Sequence, residues 1–233
     1  MNPIKKAART ASLYYLLVAL FGGFAHFSVR LQLIVPDDAR ATAHNILTSE
    51  ALFRYGFMAD MVQLTFFTLL LLALYTLFKT VHPGYARAMF TLALLGVPIA
   101  ALNMLHQYAV LFLIEDASYL EAFGEDQRYA LSLFLLELHD IGYAIAHIFF
   151  GLWLYPLGYL VYRSGFFPKF IGVCLMIAPL GYLSHVILGF VLPKSHPYTE
   201  FAALFSGIVE MLFMISLLVL GFKKTSGNLN LSS

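Results

Sequence analysis

Six apolar stretches, separated by short polar connections whose charge alternates in sign, leave this chain one class of fold. The stretches run from about Ala11 to Val35, Phe53 to Phe78, Ala86 to Ile114, Tyr129 to Tyr162, Phe170 to Leu192 and Phe201 to Phe222. A helix needs about 20 mostly apolar residues to cross a bilayer, and a backbone in lipid must satisfy its own polar groups. The reading is therefore an all-α polytopic membrane protein, a bundle of six transmembrane helices. Composition agrees: 61% of the 233 residues are hydrophobic and 12% are charged, against about 25% charged in soluble domains. The charged start Lys5, Lys6 and Arg9 resembles a signal peptide. The first apolar run lacks a convincing small-x-small cleavage site, however, is followed by Arg30 and Gln32, and reads as a retained span.

The connections predict orientation. Lys5, Lys6, Arg9, Lys79, Arg87, Arg163, Lys169, Lys223 and Lys224 fall on one side, which carries no acid. The other side holds Asp37, Asp38, Glu50, Glu115, Asp116, Glu121, Glu125, Asp126 and Glu200. Basic loops stay cytoplasmic, so both termini are expected inside. Pro36 to Leu52 reads as a short outer amphipathic helix, with Asp37 able to cap it and Ala39, Ala43, Ile46 and Leu47 on one face. The inner connections, Val81-His82-Pro83-Gly84 and Ser164-Gly165-Phe166-Phe167-Pro168, are turn chemistry. Residues 1–224 are expected to form a single transmembrane domain. The Asn- and Ser-rich residues 225–233 are expected to be a disordered tail.

Ionisable groups inside a span are costly and mark interior sites or water-filled cavities. Counted from the nearest charged flank at about 1.5 Å per residue, Asp60, His106, His139, His185 and Glu210 lie roughly 9 to 16 Å deep, with His26 at a similar level. Each span thus places an ionisable group in the outer half, and only His147 falls clearly in the inner half. The candidates for a ligand or metal site are His26, Asp60, His106, His139, His185 and Glu210, with Arg30, Arg54, Asp140 and Asn103 in support. His139 and Asp140 are adjacent and point about 100° apart, so one of them is expected to face the centre. Single interhelical hydrogen bonds are the plainer account of His106 and His185. Tyr143, Tyr182 and the phenylalanines read as packing.

The donor types suit zinc or iron, with haem ranked behind them. The sequence carries neither a His-x-x-x-His pair nor a paired Glu-x-x-His motif. Cys174 is the only cysteine, which excludes an intramolecular disulfide and a cysteine-based zinc motif. No basic block points to nucleic acid, so the partners implied are the lipid bilayer and a small ligand. Three functions remain open on the residues: a buried His/carboxylate site binding a metal or small ligand, with hydrolase activity as one form of it; a proton-coupled transporter; and a structural or partner-binding subunit held by interhelical polar contacts.

The chain resembles the bacterial integral membrane family catalogued as domain of unknown function 4386. The likeness rests on Ile34-Val-Pro-Asp-Asp-Ala-Arg-Ala-Thr-Ala43, Ser49 to Arg54, Leu138-His-Asp-Ile-Gly-Tyr143, Phe149-Phe-Gly-Leu152, Leu157-Gly-Tyr-Leu160, Arg163-Ser-Gly-Phe-Phe-Pro168 and Gly172 to Tyr182. The resemblance implies a six-span helical protein of the bacterial inner membrane and carries no activity with it. Arg54, Asp60, His139 and Glu210 match the family pattern. His147 stands where that pattern is usually apolar and His26 where an acid is common, which lowers the weight on His147.

Overall fold

The computed structural model describes residues 3–115, 120, 122–192 and 197–222. The expected tail at 225–233, and Lys223 and Lys224, lie outside the described residues. Among the described residues the chain is all-α, with six helices long and apolar enough to cross a membrane. They are Pro3–Leu33, Glu50–Phe78, Pro83–Ile114, Glu125–Ser164, Lys169–Val191 and Leu204–Phe222, the last belonging to a helix that starts at Pro197. We number them spans 1 to 6. Their lengths of 31, 29, 32, 40, 23 and 19 residues meet the requirement of about 20 residues for a crossing.

Consecutive spans pack side by side, and span 6 returns to span 1, so the bundle closes as a ring. One end gathers the basic connections. There Arg9 lies over the Phe222 ring at 4.5 Å, and Phe78 meets Phe167 with centroids 6.2 Å apart. We call this the basic end and the other the acidic end. The acidic end is laced by ion pairs. Arg54 bonds Glu50 at 2.6 Å and also Glu115, while Arg40 pairs with Asp126.

Local chemistry moves several boundaries. Span 3 starts at Pro83, within the expected turn, because proline suits the first helical position and His82 Nδ1 accepts from the Tyr85 amide at 3.2 Å. The outer helix occupies Ala39–Thr48, and its cap is Asp38, which accepts from the Ala41 amide at 2.8 Å. Asp37, the expected cap, instead turns the chain with φ 61°. The buried face of this helix is Thr42, Ala43 and Ile46, whereas Leu47 is 41% exposed.

Two spans are irregular. Span 4 breaks at Trp153 into Glu125–Leu152 and Leu154–Ser164. Pro156 explains the break, since it has no amide hydrogen for the Leu152 carbonyl and its ring crowds that same group. Span 1 widens into a π-helical segment at Phe24–Arg30, a departure that frequently accompanies functional sites.

The two halves of the ring are filled differently. Toward the basic end a large core joins spans 1 to 6 and includes Leu74, Phe78, Met89, Trp153, Leu157 and Phe213, each 0–1% exposed. Spans 4 and 5 approach there until backbone nearly touches backbone. A β-carbon on Gly158 would lie 2.6 Å from the Met176 nitrogen and 2.7 Å from the Gly172 oxygen. Small residues give membrane helices this closeness, because lipid supplies no hydrophobic drive between them. A smaller cluster around Val29, Ile46, Phe53 and Leu111 packs the outer helix onto the acidic end. Between the two lies the open part of the ring.

Candidate functional site

Arg30, Asp60 and Glu210 are each held by partners on neighbouring spans. Arg30, at the end of the π-helical segment, donates from both terminal nitrogens to Asp60 of span 2, at 2.5 and 3.4 Å. Asp60 is 1% exposed and the Arg30 side chain 17%. An isolated aspartate at this depth would be costly, and the guanidinium fork is the geometry that satisfies a carboxylate.

On the other side of the ring, Asn103 of span 3 links two histidines. Its Nδ2 donates to the His139 carbonyl at 2.7 Å and lies 3.2 Å from His139 Nδ1, while its Oδ1 is 3.0 Å from His106 Nδ1. Asn103 fits because residue 142 is glycine: a β-carbon there would lie 2.0 Å from Asn103 Oδ1.

These groups border a cavity of about 510 Å³ lined by spans 1, 2, 4 and 5. Its polar wall is His26, Arg30, Gln63, His139, Asp140 and His185, with His147, Tyr143 and Tyr182 further in. His26, Asp140 and His185 are exposed and mark its mouth, whereas His139 is 3% exposed. Gln63, Tyr143, His147 and Tyr182 also line a second, smaller space of about 140 Å³, so the two adjoin through those four residues. The smaller space ends on Phe67, Phe150 and Trp153, with Glu210 of span 6 in its wall. The Tyr15 and Tyr182 hydroxyls each donate to Glu210, one to each carboxylate oxygen, both at 2.8 Å.

The sequence-predicted residues therefore divide. His26, Arg30, His139, Asp140 and His185 come together around the wide cavity. Asp60 sits behind Arg30, and Asn103 with His106 sits behind His139; none of the three is in the cavity wall. Glu210 lies apart, beside the smaller space. Its partner Tyr15 is eleven residues from His26 along span 1, or about 16 Å at 1.5 Å per residue. The polar groups thus form a descending path instead of one layer. Arg54 belongs to the ion pairs of the acidic end and does not reach the cavity. His139 and Asp140 both line the cavity although they are adjacent, the first from its buried wall and the second at its mouth.

Three contributors escaped the sequence reading. His147 lines both spaces, with Tyr143 and Tyr182 at ring-centroid distances of 5.0 and 5.8 Å. Its signal was the Asp140, Tyr143, His147 spacing, which keeps all three on one helical face. Tyr182 reads as packing and Tyr15 carries no signal in the sequence, yet both hold Glu210. A tyrosine in an apolar run has no charge to draw attention, and only the facing helix shows whether its hydroxyl finds a partner.

Among the described residues, no group of three or more His, Cys, Asp or Glu side chains comes together in a way that holds a metal ion. The histidines are spread around a wall, and the carboxylates of Asp60 and Glu210 are taken up by Arg30 and by a pair of tyrosines. Among the described residues no serine, threonine or cysteine lines either space.

The fold and this cavity define a polytopic helical membrane protein with a polar chamber in one half of its ring. Comparison with known proteins places it further: the model of the family Domain of unknown function (DUF4386) matches residues 10–221, and the chain belongs to that family. It is similar to an "Uncharacterized protein" of Archaeoglobus fulgidus, with 35% identity over 94 residues, covering 38% of this chain and 55% of that protein. The chain thus spans about half the length of that curated relative. No solved structure matches it.

Proposed function

We propose that this is a small-ligand-binding membrane protein, with residues 1–224 as one domain, both termini cytoplasmic and the chamber opening at the outer face. The carrying observation is the two adjoining spaces, which lead from the exposed His26, Asp140 and His185 down to Glu210. Ligand sites are concave, with mostly apolar walls and a few convergent polar groups, and this chamber has that make-up. Orientation follows from the acid-free basic end.

The other readings find less support. A transporter needs a path through the basic half, which is filled by side chains such as Trp153, Leu157 and Phe213. A hydrolase needs a nucleophile or a metal-activated water, and among the described residues the wall offers neither a hydroxyl nucleophile of the serine type nor a grouped donor set. Interhelical glue accounts for Arg30–Asp60 but leaves the histidines around an open space unexplained.

The test fills the chamber. Gln63 stands where the two spaces adjoin, so Gln63→Trp should block it. Native mass spectrometry of gently extracted protein should show a small-molecule adduct that this variant lacks. Identical spectra from the two proteins, with the variant still folded, would sink the reading.

A further inference from the structure

The smaller space has a chemistry of its own. Its wall is aromatic: Tyr143, Phe67, Phe150, Trp153 and Tyr182 surround it, joined by Tyr15 beside Glu210. These rings brace one another edge to face. Phe67 meets Phe150 at 5.2 Å and 80°, and Trp153 at 5.5 Å and 81°. Into this cage projects one carboxylate, Glu210, which accepts a phenolic hydrogen on each oxygen. Each carboxylate oxygen keeps a lone pair for a further partner. Among the described residues no lysine or arginine lines this space. Arg30, the cation of the wider cavity, is already bonded to Asp60.

A carboxyl group in a box of aromatic rings is an environment that recognises organic cations, because aromatic faces attract positive charge and do so more strongly when water is excluded. The size also fits. About 140 Å³ is close to the volume of roughly 150 Å³ that admits benzene in an engineered cavity, and a tetramethylammonium-sized group is comparable. We infer that the cage of Tyr15, Phe67, Tyr143, Phe150, Trp153 and Tyr182 around Glu210 binds a small organic ammonium group, reached through the wider cavity. This deepens the ligand-binding reading and rests on it. The ammonium belongs either to a free amine or to a lipid headgroup, which share this chemistry.

Trp153 is the only tryptophan of the chain and lines the cage, so its fluorescence reports entry. Choline and tetramethylammonium are titrated into the full chain in an uncharged detergent at constant ionic strength. The neutral isostere 3,3-dimethylbutan-1-ol and sodium chloride are titrated in parallel. The expected result is a saturable change with both ammonium ions, at least about tenfold weaker binding of the isostere, and a similar loss in Glu210→Gln, a tenfold change being the unit of affinity arithmetic. Should Glu210→Gln fail to fold, Tyr143→Leu removes one ring without touching the Glu210 bonds and should weaken choline several-fold. Weaker choline binding in phosphatidylcholine nanodiscs than in phosphatidylglycerol nanodiscs identifies a headgroup as the competing occupant; equal binding identifies a free amine. Equal affinity for the isostere overturns the cation assignment while leaving a ligand-binding chamber. An equal response to sodium, undiminished affinity in Glu210→Gln, or no saturable change overturns it as well. Failure of the adduct test with Gln63→Trp is needed to remove the chamber reading itself.

Discussion

Gly142 and Asn103 occupy nearly the same space: a β-carbon at position 142 would sit 2.0 Å from Asn103 Oδ1. The absent methyl lets the amide reach the His139 carbonyl at 2.7 Å and stand between His139 and His106. Gly142→Ala should therefore expel Asn103 from its place. Overpacking of this kind costs about 1–3 kcal/mol, and the change should appear as a lower melting temperature in detergent. Adding Asn103→Ala should relieve the clash, so the double variant should be more stable than the sum of the single losses predicts. Strict additivity would show that the two residues do not compete for this space.

The Arg30–Asp60 pair joins the π-helical segment of span 1 to span 2. Its value lies in mutual satisfaction more than in attraction. Asp60→Asn, which leaves the guanidinium facing a neutral amide, should cost about 3–5 kcal/mol if the pair behaves as other buried ion pairs do. Arg30→Met with Asp60→Leu should restore much of that stability while changing the cavity mouth. A double variant as unstable as Asp60→Asn would assign the loss to packing in place of charge.

The spans were legible because a bilayer demands about 20 apolar residues whatever the tertiary contacts are, and helix ends follow local chemistry. Rotation was the hidden variable. Depth along a helix can be counted, but the direction a side chain takes depends on the neighbouring spans. So Arg54, a supporting candidate at the flank of span 2, belongs to surface ion pairs, and Glu210 meets the level of Tyr15. The break at Trp153 was not legible in the same way: Pro156 permits it, yet Pro98 and Pro179 lie inside unbroken helices. His147 was passed over because a family pattern counted against it, although its register with Tyr143 and Asp140 placed it on the cavity face.

Closure of the basic half can be tested at the crossing of spans 4 and 5. Gly158 and Gly172 meet there through backbone atoms, and a flexible side chain cannot absorb the clash. Gly158→Val should lower folded yield and melting temperature sharply. Gly189→Ala, where nothing lies within 4 Å, is the matched control and should change either quantity little. A Gly158→Val protein as stable as the control would mean that these helices are free to separate.

Access to the chamber links the fold to the proposed orientation. Cys174 is replaced by alanine to clear the background, and single cysteines are placed at Lys79, Asp126, His185 and Leu157. Lys79 is exposed at the basic end and Asp126 at the acidic end. His185 is exposed at the cavity mouth, and Leu157 is 0% exposed in the core below it. Asp60 is a poor reporter despite its depth, because Arg30 covers it and it is 1% exposed. In intact cells an impermeant thiol reagent should label Asp126→Cys and His185→Cys and spare Lys79→Cys, which should react only after the membrane is opened. Leu157→Cys should resist under both conditions, since core side chains pack around it. Labelling of Lys79→Cys from outside would invert the topology. Labelling of Leu157→Cys from the cytoplasmic side would open the inner half and turn the chamber into part of a transport route.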